Sequence, residues 1–139
     1  MGKFKIKLSL ILVFILSITL LTACSEPELS EGFEREEIEA KGEQVIDIVN
    51  RGDGEALLEM SDDRMREALD EATMDGMFST IEEAGEFKEI QDVQIAGNED
   101  TETEEDFGVA VIKAKYQEES YVYTITFTKD MKLAGLFYK

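Results

Sequence analysis

At Gly85 the rhythm of apolar residues changes, and that change constrains the fold more than any other feature of the chain. Upstream, Ile38, Gly42, Val45 and Val49 recur at four-three-four spacing, which makes one apolar stripe on a helix. Downstream the period is two. Ala110, Ile112, Ala114 and Tyr116 alternate with Val109, Val111, Lys113 and Lys115; Tyr121, Tyr123, Ile125 and Phe127 alternate with Val122, Thr124, Thr126 and Thr128. Helices followed by a run of strands imply an α+β fold in which the helices cover one face of a sheet.

The helical half divides at its polar punctuation. Ser30 is an N-cap candidate for the first helix, and Asn50-Arg51-Gly52-Asp53 ends it, with Gly52 suited to a left-handed C-cap. Asp53 can cap a short helix carrying Ala56, Leu57, Leu58 and Met60. Ser61-Asp62-Asp63 restarts the chain before Met65, Ala68 and Leu69, and Thr73 can cap a last helix with Met74, Met77, Phe78 and Ile81. The methionines read as adaptable core filler. In the second half, strands are expected over Phe87–Ala96, Phe107–Tyr116, Tyr121–Phe127 and Leu133–Tyr138. Their short links, 117–120 and 128–132, favour antiparallel pairing in a four-stranded meander.

The first 23 residues stand apart from this domain. Lys3, Lys5 and Lys7 precede an apolar run from Leu8 to Leu21, followed by Leu21-Thr22-Ala23-Cys24. A basic start, an apolar middle and small residues before a cut site make a secretory signal. The Cys at the cut site makes it resemble a bacterial lipoprotein signal, whose lipobox is an aliphatic residue, two small residues and Cys. The resemblance implies cleavage before Cys24, a lipid on that residue and a place on the extracytoplasmic face of a cell membrane. A spanning helix fits less well, because Leu8 to Ala23 is 16 residues against the roughly 20 needed. Residues 24–31, with the sole proline Pro27, read as the lipidated Cys and a tether, and 32–139 as the domain.

Cysteine and charge narrow the function. Cys24 is the only Cys and there is no His, so an internal disulfide and a Cys–His nucleophile are both excluded. The leader holds three of the 14 Lys and Arg and none of the 32 Asp and Glu, which leaves the mature chain a side-chain balance of −21. Such a charge argues against nucleic acid as a partner and against flat adhesion to an anionic bilayer. The domain is expected to stand off from the membrane on its tether.

The helix, the Asn50-Arg51-Gly52-Asp53 turn, Gly85-Glu86-Phe87-Lys88-Glu89-Ile90 and the closing Lys132-Leu133-Ala134-Gly135-Leu136-Phe137 together resemble a family of small extracytoplasmic domains of unknown function. That family is similar to nuclear-transport-factor-2-like, or cystatin-like cone, folds. The resemblance spans Phe33 to Tyr138 and implies a curved sheet with a pocket beneath the helices. It carries over no catalytic residues. Tyr121 and Tyr123 on the inner face, with Asp92 or Gln91 on the first strand, are the pocket candidates; an amphipathic core explains the two tyrosines equally well.

Other constellations are weaker. Asp100, Glu102 and Glu104 in the acidic stretch 98–106 alternate like calcium ligands. The sixth position from Asp100 is Glu105 instead of Gly, and the twelfth is Val111 instead of Glu, so a solvated hairpin loop is the favoured reading. No metal or cofactor is expected. Val109, Val111, Val122, Thr124 and Thr126 share the outer sheet face, with Lys113 and Lys115 at its edge. This face can pair with a second copy or with an envelope protein. The expectation is a non-enzymatic binding or interaction module at the cell envelope; the alternative is a binder of a small apolar ligand, or less readily an enzyme, using the pocket.

Overall fold

The computed structural model describes residues 28–139. The leader, the lipobox and Cys24 lie outside the described residues. Four helices precede four strands: α1 (Arg35–Arg51), α2 (Gly54–Met60), α3 (Asp63–Ala68), α4 (Glu71–Glu83), β1 (Phe87–Glu99), β2 (Asp106–Tyr116), β3 (Ser120–Phe127) and β4 (Leu133–Tyr138). The sheet is an antiparallel meander in the order β1-β2-β3-β4, as the short links require. Its inner face is covered by helices, which makes the fold α+β.

Helix α1 is the central beam of the helical layer. Ile38, Gly42, Val45 and Val49 are buried along one side, joined by Ile46 and Ile48. Each large apolar side chain buried in this way contributes about 1.5–3 kcal/mol. Gly42 matters because α1 sits close to the sheet. A Cβ there would lie 2.9 Å from Ile112 Cδ1 and 3.1 Å from Ala110 Cβ. Gly52 ends the helix at φ +64°, and its N–H closes onto the carbonyls of Ile48 and Val49.

The caps show how local chemistry sets the short helices. Asp53 accepts from Ala56 N at 3.0 Å and Asp62 from Met65 N at 2.8 Å. Two expected caps are corrected. Ser30 caps nothing; the chain turns at Glu31-Gly32, where Gly32 takes φ +98°, and Glu34 holds the N-cap position of α1 without a side-chain bond. The N-cap of α4 is Asp70, which accepts from Thr73 N at 2.8 Å. A carboxylate one turn before Thr73 supplies the acceptor that the helix N-terminus needs, so the helix begins earlier.

The sheet's two faces follow the expected parity on β2 and β3. Ala110, Ile112, Ala114, Tyr116, Tyr123, Ile125 and Phe127 are buried on the inner side. On β1 the parity breaks. Register shifts occur between Phe87 and Glu89 and between Ile90 and Asp92. The second shift keeps Ile90, Val93 and Ile95 facing Ala114, Ile112 and Ala110, while Asp92 is turned to the exposed side opposite Lys113.

At one end of the sheet the β1–β2 hairpin turns through 100–105. Asp100 Oδ1 accepts from the N–H groups of Glu102 and Thr103 at 2.8 and 3.3 Å, and Asp100 N donates to Glu105 O at 2.9 Å. Arg64 of α3 reaches Glu105 at 3.3 Å. The bonds to Glu102 and Thr103 hold the Asp100 carboxyl below its usual range. Among the described residues, no group of three or more potential metal-ligating side chains is assembled to hold an ion, and no helix is long and apolar enough to cross a membrane.

Candidate functional site

The opposite end of the sheet holds a cleft of about 650 Å³. The end of α1 supplies Asn50, Arg51 and Gly52; α4 supplies Phe78, Ile81 and Glu82; the turn into β1 supplies Gly85, Glu86 and Phe87; and Tyr116 closes the floor. Gly85 is required at its place. Its φ is +85°, and a Cβ would meet Gln117 Cβ at 2.9 Å. The β2–β3 turn is laced to this corner, because Gln117 N donates to Glu86 O and Glu118 N to Ala84 O, both at 2.8 Å. The cleft's lower rim is therefore fixed by backbone bonds.

A buried hydroxyl relay runs from the floor into the core. Tyr116 donates to Asn50 Oδ1 at 2.6 Å, and its oxygen lies 2.7 Å from the Tyr123 hydroxyl. A phenol has one proton to give, so with Tyr116 committed to Asn50, Tyr123 donates to Tyr116. Burial pushes both phenols above the ordinary tyrosine value. The bond that Tyr123 donates raises it further and works in the other direction on Tyr116. Asn50 is half-buried and lines the cleft. The relay's charge-free polar end is thus an amide, which offers N–H donors to anything bound there.

Aromatic rings pack around the relay. Phe87 meets Tyr116 edge-on at 5.7 Å, Tyr116 meets Tyr121 at 6.0 Å, and Tyr121 meets Tyr138 at 5.7 Å. Such pairs add roughly 0.5–1.5 kcal/mol each beyond their burial. Tyr121 is half-buried beside Tyr116, and the Glu119 carboxylate near it pushes its hydroxyl up.

Of the four pocket candidates, Tyr121 and Tyr123 share the inner face, whereas Gln91 and Asp92 are exposed. The shift between Ile90 and Asp92 leaves Asp92 outward, where Gln94 Nε2 donates to it at 3.2 Å. Nor do Tyr121 and Tyr123 ring an open cavity: Tyr123 is fully buried, and the cleft wall is Tyr116. Asn50 and Tyr116 were legible only as a turn residue and an inner-face residue. Their 66-residue separation gives no local sign that they meet.

All five outer-face candidates lie together. Val111 stands in register with Thr124, Val109 with Thr126, and Lys113 with Val122. Thr124 is opposite Phe137, which is 71% exposed. Lys113 and Lys115 face Asp92 and Glu89 across β1, so this side of the sheet is close to neutral.

Comparison with known proteins adds family and fold. A solved NMR structure of a protein from Ruminococcus gnavus ATCC 29149 is similar with a TM-score of 0.70 and 26% identity, covering 81% of this chain and 96% of that one. No curated protein matches the chain. The model of a family described as protein of unknown function, DUF3887, matches residues 42–136, from the middle of α1 to within β4. The chain therefore belongs to the DUF3887 family of proteins of unknown function.

Proposed function

We propose that the chain is a lipid-anchored extracytoplasmic interaction module, non-enzymatic, whose partner surface is the outer face of the sheet and whose partner is a second copy. The anchoring half of this reading rests on Leu21-Thr22-Ala23-Cys24. The observation that carries the interaction half is Phe137, 71% exposed beside Thr124 and in line with Val111. Charge selects the partner. Two domains of balance −21 repel each other over most of their surface. On this face the acids Asp92 and Glu89 are offset by Lys113 and Lys115, and a two-fold contact buries Phe137 and the valines of both copies.

The absence of an acid–base role for the relay favours this reading over an enzyme. The relay ends in an amide, and phenols pushed upward are poor proton carriers near neutrality. A second reading, a small and largely apolar ligand with one acceptor group in the cleft, is favoured by the Asn50–Tyr116 wall. Sedimentation of the Phe137→Glu and Val111→Glu variants tests the first reading: each is expected to abolish self-association. An unchanged oligomer in both would refute the sheet face as the interface.

A further inference from the structure

We infer that the link between Cys24 and the fold is a short docked leash, and that it holds the domain with its β1–β2 hairpin end toward the bilayer and the Asn50–Tyr116 cleft pointing away. This rests on the reading of Cys24 as the lipid-bearing residue.

The leash is docked against Gly97, beside its register partner Gly108. Gly97 of β1 and Gly108 of β2 are register partners, so two Cβ atoms are missing side by side near the hairpin. The Glu28 carbonyl sits where a Gly97 Cβ would stand, and Leu29 Cα is 3.1 Å from that position. At Gly108 the equivalent position is filled by Ile38 of α1, with the Phe33 ring 3.1 Å away, so the close approach of the leash backbone itself is at Gly97. Glycine inside a strand often marks such a close backbone approach. Leu29 and Phe33 pack against the core.

Docking leaves only Ser25, Glu26 and Pro27 between Cys24 and Glu28. Four Cα steps at full extension span about 14 Å. From Gly108, beside the docked leash, strand β2 runs on to Tyr116 at the cleft, about 27 Å away. The lipid therefore reaches the hairpin end and cannot reach the cleft end. Lying flat on the helical side would bring Glu34, Glu36, Glu37 and Glu43 against the headgroups, which an anionic surface opposes. Upright, the outer sheet face stands perpendicular to the membrane, where it can meet the same face of a neighbour anchored in the same leaflet.

The chain contains no Trp, so an introduced Trp is a clean donor for energy transfer. The chain from Cys24 onward would be coupled through its single thiol to a maleimide lipid in phosphatidylcholine vesicles carrying dansyl-headgroup lipid. Donors would be placed by Glu102→Trp at the hairpin and Glu118→Trp at the far end. The expected result is transfer several-fold stronger from position 102 than from 118. Equal or reversed transfer overturns the inference. Inserting about ten Gly and Ser residues between Pro27 and Glu28 frees the leash without touching the fold, and should erase the difference. A difference that survives the insertion also overturns it. Because the coupling is chemical, these outcomes do not depend on processing in the cell; loss of Cys24→Ser from the host membrane fraction tests lipidation separately.

Discussion

The hydroxyls of Tyr116 and Tyr123 lie 2.7 Å apart in the interior, and only the first has an onward acceptor, Asn50 Oδ1. The two tyrosines are therefore not equivalent. Tyr123 depends on Tyr116 for its partner, whereas Tyr116 keeps Asn50 if Tyr123 is lost.

Removing the middle of the relay should cost more than removing its end. Tyr116→Phe strands the Tyr123 hydroxyl in the core, and an unsatisfied buried donor costs about 1–3 kcal/mol. Tyr123→Phe leaves Tyr116 bonded and should cost less, on the order of 1 kcal/mol. The double Phe variant should be less destabilised than the sum of the two. Urea unfolding of the four proteins measures this; strict additivity would mean that the two hydroxyls are not coupled.

The same pair sets an alkaline limit to stability. Both phenols are raised above the ordinary tyrosine value of 10.0, Tyr123 by more. Below pH 10 both states keep their protons, and the relay's contribution is complete. Above it the unfolded chain releases protons that the folded chain retains, so the unfolded state binds fewer and stability falls as pH rises. With no Trp in the chain, tyrosinate absorbance reports this directly. The two phenols should ionise together with unfolding, in one cooperative step above pH 10. A smooth titration of all four tyrosines in the folded state would contradict the buried relay.

Two glycine-to-alanine changes in helices should have opposite signs. Gly76 lies on the exposed side of α4 with nothing within 4 Å of a Cβ, so Gly76→Ala should stabilise by roughly 0.5–1 kcal/mol. Gly42→Ala gains the same helix term but drives a methyl to 2.9 Å from Ile112 Cδ1 and 3.1 Å from Ala110 Cβ. The Ile112 tip can yield, whereas Ala110 Cβ is fixed to the strand backbone. Overpacking of about 1–3 kcal/mol then outweighs the propensity gain. Thermal melts of the two variants should move in opposite directions.

Phe137→Glu separates association from folding. The ring is mostly in solvent, so the monomer's stability should stay within about 0.5 kcal/mol of the parent. The self-association constant should fall by at least tenfold, since each contact loses two aromatic rings and gains two like charges. Concentration-dependent sedimentation, paired with urea melts at low concentration, checks both halves.

The parts of this fold that were readable from sequence are those set by residues close in the chain. The period change at Gly85 marks where helices give way to strands. Asp53 caps its helix, and Gly52 ends α1, because an acceptor or a left-handed turn is satisfied within four residues. The errors come from choices that the neighbouring sequence leaves open. Thr73 and Asp70 can each cap a helix, and the carboxylate prevails. The register shift at Ile90–Asp92 is decided by fitting β1 to β2; it brings Ile90 to the face of Val93 and Ile95 and leaves Asp92, next to Val93, on the other. Residues 28–31 read as tether by composition, yet Gly97 leaves the space that the Glu28–Leu29 backbone occupies. The relay joins Asn50 to Tyr116 across the whole helical half, and only the folded chain brings them together.

Native mass spectrometry of the domain released from its own host's membrane tests the central claim most directly. The interaction-module account predicts a dimer free of any retained small molecule, converted to monomer by Phe137→Glu. A monomer that carries a stoichiometric small-molecule mass, and loses it on Asn50→Ala, would contradict that account and move the function to the cleft.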